Sequence, residues 1–284
     1  MKASSKIFFS CLFVFALPLV HGYDNDDGAI EEVIPVKQEM EQERKEGEAG
    51  YRMVLTINNT EYFFRWCPPG TFMIGSPIGE QERKQDETQH QVTLTRGFWM
   101  LETEVTLEMW EGIMGNNPSA FKGGKLPVET VSWNNCQEYI QKLNNLGVAP
   151  ADYRFSLPTE AQWEYACRAG TTTHFHFGDT LDKDKANFDK IMGRTTEVGL
   201  YPANAWGLRD MHGNVWEWCL DRYGAYPSGN VTDPVGPDSG SNHVLRGGGW
   251  SHSAKDCRSA DRREREPSVR NNAIGVRIIL ERLP

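Results

Sequence analysis

This sequence has few long periodic segments, no basic stripe and no internal repeat. With a formal net charge of −9 and no Lys- or Arg-rich face, nucleic acid is not expected as a partner. Beyond the first residues no apolar run approaches the length of a membrane span, so none is expected after leader removal. No Ser/His/Asp arrangement stands out. Gly247-Gly248-Gly249 lacks a following Lys-Ser/Thr pair, which excludes a phosphate-cradling loop of the P-loop kind. Residues 24–49 hold no aromatic, and ten Asp or Glu stand against three Lys or Arg. A stretch of that composition cannot bury enough surface to offset ordering.

What is present begins with an export signal. Lys2 and Lys6 precede an apolar run from Ile7 to Val20, and Val20-His21-Gly22 offers a cut before Tyr23. A retained anchor is the alternative. We expect a signal peptide at 1–22, an acidic disordered spacer at 23–50 and one folded domain at 51–284, in a protein exported to the periplasm or secreted. The spacer reads as solvated chain, a tether or a charged partner site.

The folded part is long enough for one large core. Met53 to Ile57 and Tyr62 to Trp66 flank Asn58-Asn59 and predict a hairpin. Gln91 to Thr95 and Phe98 to Leu101 predict short strands. Three helices are marked: one capped by Thr106 and ended by Gly115, one capped by Asn134, and one opening on the Thr159–Gln162 capping box. Beyond residue 170 loops and short strands are expected, closing with Ile274 to Leu280.

Two runs are unlike either helix or strand: Gly213-Asn214-Val215-Trp216-Glu217-Trp218 and Leu245-Arg246-Gly247-Gly248-Gly249-Trp250. They read as a loop-built core in which indoles pack on glycine-rich backbone. Other segments join them in order: Pro68-Pro69-Gly70-Thr71-Phe72-Met73-Ile74-Gly75-Ser76, Pro127 to Trp133, Arg154 to Ala166, Asn204 to Leu208 and Gly275-Val276-Arg277. Together they resemble the formylglycine-generating enzyme, or sulfatase-modifying factor, family across residues 60–282. The resemblance implies a single α+β domain, related to C-type lectins, with little regular secondary structure.

The family's oxidases convert a sulfatase cysteine to formylglycine with oxygen and a copper(I) ion held by two cysteines, a ligand set suited to a soft ion. By the resemblance those cysteines fall after the Arg-Gly-Gly run, and here Trp250 to Asp256 contains none. Gly249 also stands where the oxidases carry a serine. Copper is therefore not expected. The resemblance further implies a calcium loop, with carboxylates from Asp210 and Glu217 and carbonyls from Gly213 and Val215. The alternative is a metal-free turn with Glu217 bonded to amides. It also implies a Cys167–Cys257 disulfide, the alternative being two buried thiols. Cys67, Cys136 and Cys219 read as buried small hydrophobes.

The family's lectin-like cleft would be lined here by Trp250, Ser251, His252, Arg258, Arg262 and Asn271, and would take a peptide, glycan or small molecule. The charge-alternating run from Arg258 to Arg270 reads as a ligand-facing rim or a salt-bridged surface. His174 and His176 read as surface histidines. The first expectation is a binding module. The alternatives are an exported oxidase of altered chemistry resembling siderophore-chromophore maturation, with His252 as catalytic candidate; formylglycine generation itself; or an accessory to a sulfatase or a formylglycine-generating enzyme.

Overall fold

Asn58 and Asn59 both take positive φ, 49° and 64°, the backbone that a tight two-residue hairpin demands and that Asn tolerates. The computed structural model describes residues 47–283, so the leader and most of the spacer lie outside the described residues. In chain order the elements are β1 (Arg52–Ile57), β2 (Thr60–Cys67), β3 (Gly70–Ile74), β4 (His90–Leu94), β5 (Phe98–Leu101), α1 (Leu107–Met114), α2 (Trp133–Asn145), β6 (Tyr153–Ser156), α3 (Glu160–Arg168), β7 (Trp216–Arg222), β8 (Val231–Thr232), β9 (His243–Arg246), β10 (Arg263–Arg265), β11 (Ile274–Gly275) and β12 (Ile279–Arg282). A 3-10 turn, Ala254–Cys257, follows β9.

These strands form a five-stranded sheet (β1-β2-β5-β12-β6), a four-stranded sheet (β10-β9-β7-β11) and a three-stranded sheet (β3-β4-β8). The last strand, β12, returns between β5 and β6, so the first and last described strands share one sheet. The result is a single α+β domain in which residues 170–215 carry no named helix or strand.

The helix caps follow local chemistry. The Thr106 side chain accepts from Met109 N at 3.2 Å, and Gly115 ends α1 at φ 72°. Thr159 and Gln162 form the reciprocal box at the start of α3. The second helix differs from expectation. Ser132 caps α2, with Asn135 reaching back to the Ser132 amide, and Asn134 lies inside the first turn. A serine with a hydrogen-bonding residue three positions on makes the stronger box.

Two large apolar clusters meet at the tryptophans. One gathers α1, α2 and the inner residues of β2 with Trp216 and Trp218; the other gathers α3 with Trp163, Met211 and Cys219. Two of the central buried indoles donate inward: Trp218 to Val131 O at 3.0 Å and Trp163 to Glu217 Oε2 at 2.6 Å. Two contacts show why glycine is required. A side chain at Gly213 (φ 88°) would collide with the Asn187 carbonyl, and one at Gly248 (φ 80°) with the Cys257 sulfur.

Candidate functional site

Strand β7 alternates across its sheet. Trp216 and Trp218 join one core, while Glu217 between them turns to the other side. There Glu217 accepts from Arg277 Nη2 at 2.8 Å, from Arg277 Nε at 3.0 Å and from the Trp163 indole. Arg277 is fully buried and also donates to the carbonyls of Leu101 and Arg209. Around this pair stand two further buried acids. Asp210, at φ 59°, accepts from Gly199 N at 2.6 Å through Oδ2, and its Oδ1 has no partner among the described residues. Glu104 is 0 % exposed, and among the described residues neither of its oxygens has a partner. Burial, then the nearby Asp210 charge, push the Glu104 carboxyl well above its usual range. Burial raises Asp210 to about 6.

The expected calcium residues are thus partly regrouped. Asp210 and Glu217 share one nest, Gly213 makes the turn between them, and Val215 is buried beside Trp216. Glu217 is not bonded to a turn amide; its carboxylate holds Arg277 and Trp163. Among the described residues no three His, Cys, Asp or Glu side chains converge tightly enough to hold an ion by themselves. The three orphaned oxygens of Glu104 and Asp210 nevertheless fit a hard cation completed by carbonyls, since an unpaired buried carboxylate is costly. Sequence reasoning missed Glu104. Its only local signal is an acid two residues before the Thr106 cap, in a Glu-Thr-Glu run that also describes many surface segments.

The expected cleft also divides. Trp250, Ser251 and His252 stay together. The Trp250 amide donates to Asn214 O at 2.7 Å, its indole donates to Asn272 O at 2.9 Å, and Phe121 meets the ring edge-on at 5.6 Å. Trp216 donates through Nε1 to His252 Nδ1 at 3.3 Å, and Ser251 Oγ lies 3.5 Å from the same nitrogen. The loop after Phe188 is sewn on by its backbone: Asp189 N donates to His252 O and Lys190 N to Trp250 O, each at 2.7 Å. Asp189 and Lys190 take φ 50° and 61°, and the loop leaves Ile191 and Met192 exposed. Asn271 borders the cleft through its neighbour Asn272, but its Oδ1 accepts from Ala273 N and is spent on that turn.

Arg258 and Arg262 do not line this cleft, which corrects the expected set. Arg258 forks onto Glu87 at 2.7 and 2.9 Å and reaches Glu80 at 2.7 Å. Arg262 forks onto Glu160 at 2.6 and 2.8 Å and lies 3.7 Å over the Tyr226 ring. Both guanidiniums are buried, and a buried guanidinium demands a buried carboxylate partner. The charged run is therefore interior at Arg258 and Arg262. It turns outward only from Arg263, whose guanidinium lies 5.2 Å over Trp216.

The Cys167–Cys257 bridge is not formed. All five described cysteines are free and buried. Cys167 lies 3.7 Å from both Ser259 Oγ and His212 Nε2, while Cys257 contacts Ser253 O at 3.6 Å in a different apolar cluster. Burial pushes the Cys167 thiol up to about 12 and Cys257 well up. His176 is not a surface histidine either. It stacks on His212 at 4.9 Å, both its nitrogens are buried without partners, and burial lowers it to about 4.

Comparison with known proteins fits this geometry. Residues 59–282 match the model of the sulfatase-modifying factor enzyme 1-like domain. The serine/threonine-protein kinase pkn1 of Chlamydia caviae is 38% identical over 159 residues, covering 54% of this chain but only 24% of the kinase. The mouse (Mus musculus) formylglycine-generating enzyme is 29% identical over 248 residues, covering 80% of this chain and 62% of the enzyme. The chain thus spans about a quarter of the first of these relatives and under two thirds of the second. Among solved structures, Treponema denticola variable protein 1 superposes with a TM-score of 0.73 at 29% identity, covering 80% of this chain and 98% of that one. With that family model matching residues 59–282, the chain belongs to the sulfatase-modifying factor enzyme 1-like domain family.

Proposed function

We propose that this protein is an exported ligand-binding member of its family, using the face of Trp250, Ser251 and His252, backed by the buried Trp216, to hold a peptide, glycan or small molecule. It does not run the copper oxidase reaction. The observation that carries this reading is where the thiols lie. No cysteine occurs from Trp250 to Asp256, and all five described cysteines are buried as free thiols. A soft copper ion needs thiolates, and burial disfavours the thiolate at each of these five sites. The residues do not fit the copper group, and no step is routed through it.

Calcium is proposed at the nest of Glu104 and Asp210, where it would supply fixed positive charge and lock the turn that carries β7. Glu217 would join only by sharing its carboxylate with Arg277. Sulfatases and formylglycine-generating enzymes are candidate partners on the strength of the family alone.

The test pairs two measurements on the full chain. A sulfatase-type cysteine peptide is incubated with copper(I), reductant and oxygen and examined by mass spectrometry beside an active control enzyme. Ligand arrays are screened against the protein and its Trp250→Ala variant. No formylglycine, with Trp250-dependent binding, is expected. Formylglycine at a rate near the control would overturn the reading.

A further inference from the structure

The face around His252 carries polar hydrogens left without an acceptor among the described residues. Trp216 Nε1 donates to His252 Nδ1, so the neutral ring carries its proton on Nε2. That nitrogen has no protein partner among the described residues. Arg263 and Arg265 lie two positions apart on β10 and so share a face. Arg263 stacks over Trp216, which meets the His252 ring edge-on at 5.5 Å. Neither arginine forms an ion pair among the described residues, and Arg265 donates only to Glu264 O. Their neighbours Arg258 and Arg262 each hold a buried carboxylate. An unpaired guanidinium stacked on an indole beside an imidazole N–H is an arrangement that binds oxyanions in a planar fork.

We propose that this face binds an anionic ligand, a carboxylate, sulfate or phosphate joined to a planar apolar group, with Arg263 and His252 Nε2–H on the oxyanion, the half-buried Trp250 against the apolar part and the buried Trp216 supporting Arg263 from beneath. Arg265 adds charge at the rim. The inference rests on the cleft reading above and narrows its ligand class. The surrounding field agrees with it: burial, then Arg263, hold His252 below the usual imidazole value, so the ring is a neutral donor near pH 7. The local excess of positive charge runs against a chain whose net charge is −9.

The test is calorimetric titration of the full chain with benzoate, phenyl phosphate and phenyl sulfate, with benzamide as the neutral counterpart of benzoate. At least one of the anions is expected to bind saturably, and benzamide at least about tenfold more weakly than benzoate. Arg263→Gln should weaken anion binding by about tenfold or more, the range for losing a charge-assisted hydrogen bond. Arg282→Gln, an exposed arginine on β12 in another sheet, should leave it unchanged. The His252 Nε2 resonance should shift on titration, which an ion bound elsewhere would not produce. Equal binding of benzoate and benzamide, loss of no affinity in Arg263→Gln, or no saturable binding of any anion up to ~10 mM overturns the proposal. Trp250-dependent binding of neutral ligands alone would retain the cleft reading while rejecting its anion preference. Formylglycine production would instead reject the parent reading.

Discussion

Glu104→Gln separates a calcium nest from a merely acidic one. In wild type, neither Glu104 oxygen has a protein partner, and Asp210 Oδ1 lacks one too. Calcium binding only to the folded chain at 100 times its Kd adds about 2.7 kcal/mol of stability. For a domain the size of residues 51–284, each kcal/mol moves the midpoint by about 2–4 °C, so saturating calcium should raise Tm by about 5–11 °C. Glu104→Gln removes one carboxylate ligand while keeping shape and volume. Without calcium it should shift stability by under about 1.5 kcal/mol, because it exchanges one unpartnered polar group for another. With calcium most of the Tm gain should vanish. Differential scanning calorimetry in EDTA, in calcium and in magnesium measures all of this. A Tm indifferent to calcium would refute the reasoning outright. So would a calcium gain in Glu104→Gln equal to that of wild type.

Three other outcomes are expected. Arg246 is 0 % exposed and donates to Ser259, Ala260 and Asp261 carbonyls while pairing with Glu164, so Arg246→Ala should cost about 3–5 kcal/mol in urea denaturation. His176, held near 4 when folded against about 6.5 unfolded, contributes stability in full above pH 6.5 and loses it as pH falls toward 4, about 3 kcal/mol in all. Asp221, raised to about 8 by burial, acts in the opposite sense, its contribution falling as pH rises from about 4 to 8. The difference between wild type and His176→Phe isolates the histidine, and a flat difference from pH 7 to 4 would reject its buried neutral state. In native protein the thiols at Cys67, Cys136, Cys167, Cys219 and Cys257 should resist an aromatic disulfide reagent, and all five should react in denaturant. Three reactive thiols would show that Cys167 and Cys257 had bonded after all.

Local signals were the legible ones. Asn58-Asn59 announces its hairpin, and Thr159 with Gln162 announces α3, because turn and cap chemistry acts within a few residues. Family motifs spread over the chain carried the domain assignment where periodicity is silent, as in residues 170–215. Of the candidate site, the contiguous Trp250, Ser251 and His252 necessarily stay adjacent, while residues distant in sequence are placed only by the fold. Glu104 stayed hidden because it reaches Asp210 across more than a hundred residues of chain, and nothing beside it signals burial. Arg258 and Arg262 misled for a related reason. In sequence they belong to one charged run with Arg263, but the turn and strand after Cys257 send the first two inward to Glu87 and Glu160 and the third outward over Trp216.

The loop sewn to the cleft by Asp189 N and Lys190 N has a consequence for how this protein can change over generations. Its attachment runs through main-chain amides, which any non-proline residue supplies. Ile191 and Met192, at 46% and 55% exposure, hang beside the proposed ligand face without supporting the core. Substitutions there can alter what is recognised while the scaffold under the indoles keeps its stability, so new specificity can be explored without passing through unfolded ancestors.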